Sequence, residues 1–295
     1  MDFYSPLTPL KYKDFPTIWV KRDDLIDPFI SGNKWRKLKY LIDDARRLQK
    51  SHLVTFGGAY SNHLLASAAA AARFGFKITG FVRGEQVEND SIFLSRLFGM
   101  QHIFVSREDY KNKLALYNKY FQNSEDTYFI DEGGAGTLAV KGCSEILAEL
   151  PHPFDHIFCA AGTGTTAAGL LNYIHSHAWS SKLHVVPVLK DQGSTRLSIS
   201  EYVKDTSKLV MEVDYHFGGY AKVTDDLIQF IQDFTSSTGL LLDHVYTAKV
   251  FYAIYDKFKR GVLSTESNVL AIHTGGIMGL LGAKSNFPLN LKKQS

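Results

Sequence analysis

Short apolar runs that end in glycine, separated by longer stretches of helical period, constrain this 295-residue chain more than any other feature. The expected strands are Thr17–Val20, His52–Phe56, Lys77–Val82, His102–Val105, Thr127–Ile130, His156–Ala160, Leu183–Val188, Met211–Tyr215 and Val269–His273. Amphipathic segments lie between them: Lys34–Leu48, Asn62–Phe74, Lys111–Phe121, Leu138–Leu150, Asp225–Thr235 and Tyr246–Lys259. Strands this rich in Val, Ile and Phe are apolar on both faces, and a parallel sheet covered by helices on both sides buries both. The expected fold class is therefore α/β, with open, mostly parallel sheets and helices on both faces.

Glycines mark the strand ends, at Gly57-Gly58, Gly133-Gly134, Gly162 with Gly164, and Gly275-Gly276. In open parallel sheets ligands bind outside the carboxyl ends of the strands, so these turns are candidate site walls. Composition narrows the function classes. A net charge of +3, with no basic run interleaved with aromatics, leaves no footprint for nucleic acid. The N-terminus lacks the basic and apolar regions of a signal peptide, and the run Leu64–Ala72 is too short to span a bilayer. Cys143 and Cys159 form no CxxC pair, and the eleven histidines show no metal-ligand spacing. The expectation is a cytoplasmic protein with no metal, no nucleic-acid partner and no membrane contact.

Five constellations carry chemistry. Ser31-Gly32-Asn33-Lys34 sets a lysine at the start of a helix, directly after a glycine turn. A lysine held this way can bind an aldehyde cofactor as a Schiff base, whereas Lys34 with Arg36, Lys37 and Lys39 could equally be a solvated helix face. Gly57-Gly58-Ala59-Tyr60-Ser61-Asn62-His63 turns a strand into a helix capped by Ser61 or Asn62, and a helix N-terminus favours a carboxylate or phosphate. The plain reading is an ordinary capped turn. Gly162-Thr163-Gly164-Thr165-Thr166 opens a third helix, where backbone N–H groups and hydroxyls suit a phosphate. A dinucleotide fingerprint competes, with Gly162, Gly164 and Ala167 in its glycine positions, but Asp191 is the nearest acid after the next strand and sits past its end. The fourth motif, Asp243-His244-Val245-Tyr246-Thr247, starts another helix, and the fifth, His273-Thr274-Gly275-Gly276, ends a strand. A half-buried tyrosine and a buried histidine are the plain readings of these two.

In this order, Lys21-Arg22-Asp23-Asp24, Ser31-Gly32-Asn33-Lys34, the Gly-Gly-x-x-Ser-Asn-His turn, Gly-Thr-Gly-Thr-Thr and His-Thr-Gly-Gly resemble a fold-type II pyridoxal-phosphate enzyme of the tryptophan synthase β-subunit kind. More narrowly, the chain resembles the 1-aminocyclopropane-1-carboxylate deaminase and D-cysteine desulfhydrase family, from Val20 to about Gly279. Each motif alone is weak; their joint order is specific. The resemblance implies pyridoxal 5'-phosphate as cofactor, a small amino acid as substrate and a homodimer. It implies a larger cofactor-binding domain (residues 1–36 and 138–295) and a smaller α/β domain (37–137) closing over the substrate.

Residue roles follow from the same resemblance. Lys34 would bind the cofactor and move protons at the substrate Cα, and Asn62 would meet the cofactor's phenolic oxygen. Ser61 and His63 would receive the substrate carboxylate beside Asn62, and Gly162, Thr163, Gly164, Thr165 and Thr166 would hold the phosphate. Tyr246 would lie against the ring, Tyr220 would be a second active-site tyrosine, and Thr274 would sit near the pyridine nitrogen. Arg36, Lys37 and Lys39 would revert to ordinary helix surface.

Thr247, a candidate substrate-binding residue, and Thr274 stand where the deaminase pattern has glutamate and leucine, which points to the desulfhydrase branch. The expected activity is β-elimination from D-cysteine to pyruvate, ammonia and hydrogen sulfide. The alternatives are the cyclopropane-carboxylate deaminase and, in another class, a pyridoxal-phosphate-binding protein without significant catalysis.

Overall fold

The structure, a computed structural model, describes residues 3–190 and 193–287. Asp191, weighed above against a ribose, lies outside the described residues. The chain begins with β1 (Leu7–Leu10), β2 (Ile18–Lys21) and α1 (Asn33–Arg47). Next come β3 (His52–Gly58), α2 (Asn62–Phe74), β4 (Lys77–Arg83), α3 (Asp90–Leu97), β5 (Gln101–Val105), α4 (Lys113–Phe121) and β6 (Thr127–Phe129). The remainder is α5 (Thr137–Ala148), β7 (His156–Ala161), α6 (Thr165–Ser176), β8 (Lys182–Pro187), α7 (Ser194–Ser200), β9 (Leu209–Met211), α8 (Asp225–Thr238), α9 (Thr247–Lys259) and β10 (Val269–Ile272).

Two sheets result. The larger has the order β1-β2-β10-β7-β8-β9, parallel except for β1, and the smaller is wholly parallel in the order β5-β4-β3-β6. The central strands are buried along their length, as their apolar composition requires. One face of the larger sheet packs on α8 and α9 through Phe158, Phe234 and Phe251, and the other packs on α5 and α6 through Ile157, Leu170 and Ile146. Helices α1 and α2 bury Leu38, Ile42 and the alanine run of α2 against the smaller sheet. Each fully buried side chain of this size contributes about 1.5–3 kcal/mol relative to exposure.

Two departures from the sequence expectation have clear causes. β1 was not expected, because Pro9 interrupts its pattern; it is an edge strand, where proline costs no ladder bond. The expected strand Met211–Tyr215 is instead β9 followed by a 3₁₀ turn, Val213–His216. β9 pairs with β8 only as far as Val185, after which the chain turns inward. That turn lets Tyr215 donate to Asp256 at 2.7 Å and lets buried Glu212 pair with His184 at 2.7 Å and Lys257 at 2.8 Å.

The carboxyl ends of both sheets open on one cleft. The turns after β3, β6, β7 and β10 all contribute to its walls, which is where an α/β sheet places its ligand.

Candidate active site

A cavity of about 420 Å³ lies in this cleft, and a narrow slot continues from it past Lys34, Asn33, Asn62 and Tyr246. Of the expected site residues, Ser61, His63, Gly162, Thr163, Gly164, Thr166 and Tyr220 also line the cavity, and Thr274 lines the slot. Residues scattered over more than 200 positions are thus brought together.

Lys34 sits in the first turn of α1, whose N-cap is Gly32 at φ +59°. A side chain at Gly32 would collide with the carbonyl of Thr274, so this close approach of two loops requires glycine. The Asn33 backbone N–H completes the contact by donating to the Thr274 carbonyl at 3.3 Å. Among the described residues the Lys34 ammonium has no hydrogen-bond or ion-pair partner. Burial, reinforced by the nearby Lys37 ammonium, lowers its pKa to about 7. A lysine so placed is substantially neutral, and therefore nucleophilic, at neutral pH.

The start of α2 is capped by Ser61, whose Oγ accepts from the backbone of His63 at 3.2 Å and of Leu64 at 3.4 Å. His63 packs its ring behind the turn, 2.8 Å from Thr55 Oγ1. Burial and the ammoniums of Lys34 and Lys37 hold its pKa well below the usual imidazole value.

At the start of α6, by contrast, Gly164 is the N-cap at φ +76° and no side chain caps the helix. Three hydroxyls gather there. Thr163 and Thr165 lie 3.1 Å apart, and Thr166 accepts from the Asn33 amide at 2.9 Å. Thr165 is fully buried and lies under the loop rather than on the cavity wall.

Two expectations are corrected. Arg36 and Lys37 are not helix surface: they are 4% and 3% exposed, because α1 is covered by α5 and by the turn after β6. Arg36 is neutralised by Asp23 at 2.8 Å and by Glu149, while Lys39 pairs with Glu145 at 2.8 Å. Lys37 points into the cavity wall, where it donates to the Gly133 carbonyl at 3.1 Å and approaches Thr163 Oγ1 at 3.4 Å. Sequence reasoning missed it, although i, i+3 spacing from Lys34 places both on one helix face.

The second correction concerns Thr247. Its hydroxyl donates to Asp243 Oδ1 at 2.8 Å and accepts from the Asp243 backbone N–H at 2.9 Å. Fully buried in this cap, it does not reach the cleft. Asp243 also accepts from the backbone of Val245, Tyr246 and Thr247, so it fixes the start of α9 and with it Tyr246. Tyr246 meets Tyr220 edge to face, with ring centroids 6.3 Å apart. Burial, and then Tyr220, raise the Tyr246 phenol well above its ordinary pKa, so it stays protonated. Arg83 and Glu132 line the cavity mouth and were also missed; the Gly133-Gly134 turn beside Glu132 was their only sequence signal.

The residues present fit pyridoxal phosphate. An unpartnered lysine with a lowered pKa suits its aldehyde, and an uncapped helix N-terminus with hydroxyls and Lys37 suits its phosphate. No helix among the described residues is long and apolar enough to cross a membrane, and no cluster of metal-ligating side chains occurs among them.

Comparison with known proteins gives the family and the fold. Residues 3–275 match the family described as pyridoxal-phosphate dependent enzyme. A Thermotoga maritima protein named "Putative 1-aminocyclopropane-1-carboxylate deaminase" is 35% identical, with 89% of each chain covered. The mitochondrial "Bifunctional D-cysteine desulfhydrase/1-aminocyclopropane-1-carboxylate deaminase" of Arabidopsis thaliana is 29% identical over 89% of this chain and 73% of its own length. A solved structure described as an ACC deaminase homologue superposes with a TM-score of 0.85 at 26% identity, covering 97% of this chain and 93% of that one. The chain belongs to the pyridoxal-phosphate dependent enzymes, in the family of the 1-aminocyclopropane-1-carboxylate deaminases and D-cysteine desulfhydrases, with the fold of type II.

Proposed function

We propose that this chain is a β-eliminating lyase that converts D-cysteine to pyruvate, ammonia and hydrogen sulfide. The observation that carries this reading is the chemistry of the slot wall. Thr274 brings a hydroxyl there, the lining holds no carboxylate, and Asp243, close behind it, is saturated by the cap of α9. A ring nitrogen facing a hydroxyl is held less firmly protonated than one facing a carboxylate. That suffices for loss of an α-proton, whereas opening a cyclopropane that has no α-hydrogen demands a stronger electron sink.

Pyridoxal phosphate, when bound, supplies the sink that acidifies the substrate α-proton. Gly162, Thr163, Gly164 and Thr166, at the start of α6, and Lys37 would hold its phosphate, with Thr165 supporting the loop from beneath; Asn62 would face its phenolic oxygen, and Thr274 its ring nitrogen. Ser61, Asn62 and His63, at the start of α2, orient the substrate carboxylate. Lys34, neutral near pH 7, removes the proton from Cα. Tyr246, kept protonated by burial and steadied by Tyr220, offers a hydrogen bond to the departing sulfur, which takes its proton from water. The larger domain (residues 1–36 and 138–295) would carry the phosphate side, joined by Lys37 from just past its boundary in α1, and the smaller one (37–137) would close over the substrate.

Replacing Lys34 with Ala abolishes the visible absorbance of the bound cofactor and lowers turnover by roughly 10³-fold or more. A yellow, active Lys34→Ala protein sinks the assignment. The specific substrate is tested with a panel of β-substituted D-amino acids: D-cysteine turning over far more slowly than the others rejects it and spares the mechanism. The deaminase reading is favoured by the names of the relatives and is decided by 2-oxobutanoate formation from 1-aminocyclopropane-1-carboxylate. If no amino acid yields an oxo acid, cofactor binding without catalysis is what remains.

A further inference from the structure

Arg83 ends β4 directly beside the last residue of β3, with Gly58 and Arg83 in register. Its guanidinium runs along the turn that leads to Ser61, close enough that a Cβ on Gly58 would lie 3.8 Å from one of its nitrogens. It is a wall of the cavity and its side chain is 43% exposed. The buried Tyr110 ring lies 5.2 Å from the guanidinium carbon and helps to position it. Glu132 is its ion-pair partner at 3.9 Å, too long for a hydrogen bond. Lys113 competes for the same carboxylate at 3.5 Å and also approaches Asp131 at 3.6 Å. Among the described residues the Arg83 side chain makes no hydrogen bond.

A guanidinium has five donors in a planar fork suited to a carboxylate or similar anion. One that is positioned by an aromatic ring, faces a cavity and leaves its donors unused is an anion receptor awaiting its anion. The α-carboxylate already has a place at the start of α2, where Ser61, Asn62 and the helix N-terminus converge. Arg83 stands on the solvent side of that turn, between it and Glu132, where the far end of a substrate would emerge.

We propose that Arg83 is a specificity-determining residue that binds an anionic group on the substrate's β-substituent, so that the site favours thioether amino acids ending in a carboxylate. The inference rests on the β-elimination reading for its reaction. For such a substrate, R–S–CH₂–CH(NH₃⁺)–COO⁻ and water give pyruvate, ammonium and R–SH. The Cα–H and Cβ–S bonds break, the sulfur leaves with the bonding pair and takes up a proton, and no oxidant or reductant is required. Glu132 limits the preference, because an incoming carboxylate must replace it at the guanidinium.

The test compares S-carboxymethyl-D-cysteine with S-carbamoylmethyl-D-cysteine, which share a thioether and differ in one terminal charge. Both are given to the holoenzyme, and pyruvate release and the shift of the cofactor's visible spectrum on titration are recorded. The wild-type protein favours the carboxylate by roughly tenfold in kcat/KM and in Kd, the scale of one charge-assisted fork. Arg83→Met brings that ratio close to one, Arg83→Lys leaves part of it, and Glu132→Gln increases it. Equal handling of the two compounds by the wild-type protein overturns the proposal. So does an Arg83→Met protein that weakens both by the same factor, which would make Arg83 a partner of the α-carboxylate or of the fold. If neither compound nor D-cysteine releases pyruvate, the β-elimination reading fails, and the ratio of spectral dissociation constants still decides the role of Arg83.

Discussion

The starts of α2 and α6 are the same device used in two ways. Each follows a buried parallel strand, turns on glycine and aims a helix N-terminus into the cleft. At α2, Ser61 accepts from the backbone N–H groups of the first turn and so satisfies the helix from within. At α6, Gly164 offers no side chain, and Lys37 and the threonine hydroxyls stand where a cap would be. A dianionic phosphate gains most from an uncapped helix end with a cation beside it. A singly charged carboxylate that must come and go at each turnover is served by a capped, pre-formed turn. On the proposed assignment, the difference between one serine and one glycine separates a resident anion from a transient one.

The sharpest way to break this comparison is to give α6 a carboxylate of its own. Thr163 is exposed and close to Lys37, so Thr163→Asp places a negative charge where the phosphate is expected to lie. Cofactor Kd should rise roughly 100-fold by absorbance titration while the melting temperature is maintained. An unchanged Kd would place the phosphate elsewhere.

Lys37→Met tests the cation of the pair. Cofactor affinity should fall roughly tenfold, and the titration of Lys34 should move upward as a neighbouring positive charge disappears. In the unsubstituted protein the neutral Lys34 amine is the attacking form. Because its pKa is lowered, capture of the cofactor by cofactor-free protein should rise with pH and reach half-maximum at about 7. An ordinary lysine would place that midpoint at ~10.4. Stopped-flow capture rates across pH check both statements.

The smallest effect is expected at the capped turn. Ser61→Ala should cost about 1 kcal/mol of stability in denaturant titration. It should raise KM for the amino acid more than it weakens cofactor binding. The reverse order would mean that the two turns do not divide the anions as described.

The strands, the glycine turns and the place of Lys34 at a helix start were legible in the sequence because each is a local signal. Period, turn chemistry and helix capping act within a few residues, and α2 was read to its exact ends. The edge strand β1 was hidden by Pro9, since a proline argues against a strand unless the chain's position in the sheet is known. Lys37 and Arg36 were misread for a related reason. A basic helix face is solvated unless other elements cover it, and here α5, Asp23 and Glu149 lie over it from elsewhere in the chain.

The sequence by itself determined the α/β class, the family and the cofactor, because an ordered set of short motifs needs no coordinates to be recognised. Only the tertiary structure decided which side chains face the cavity. Thr247 and Thr274 are alike as letters, yet Thr247 is buried in the cap of Asp243 and Thr274 lines the slot. Arg83, Glu132 and Lys37 come to the cavity from different elements, and Lys34 owes its lowered pKa to burial and to Lys37. Burial and proximity between distant residues are properties of packing, and no local pattern along the chain records them.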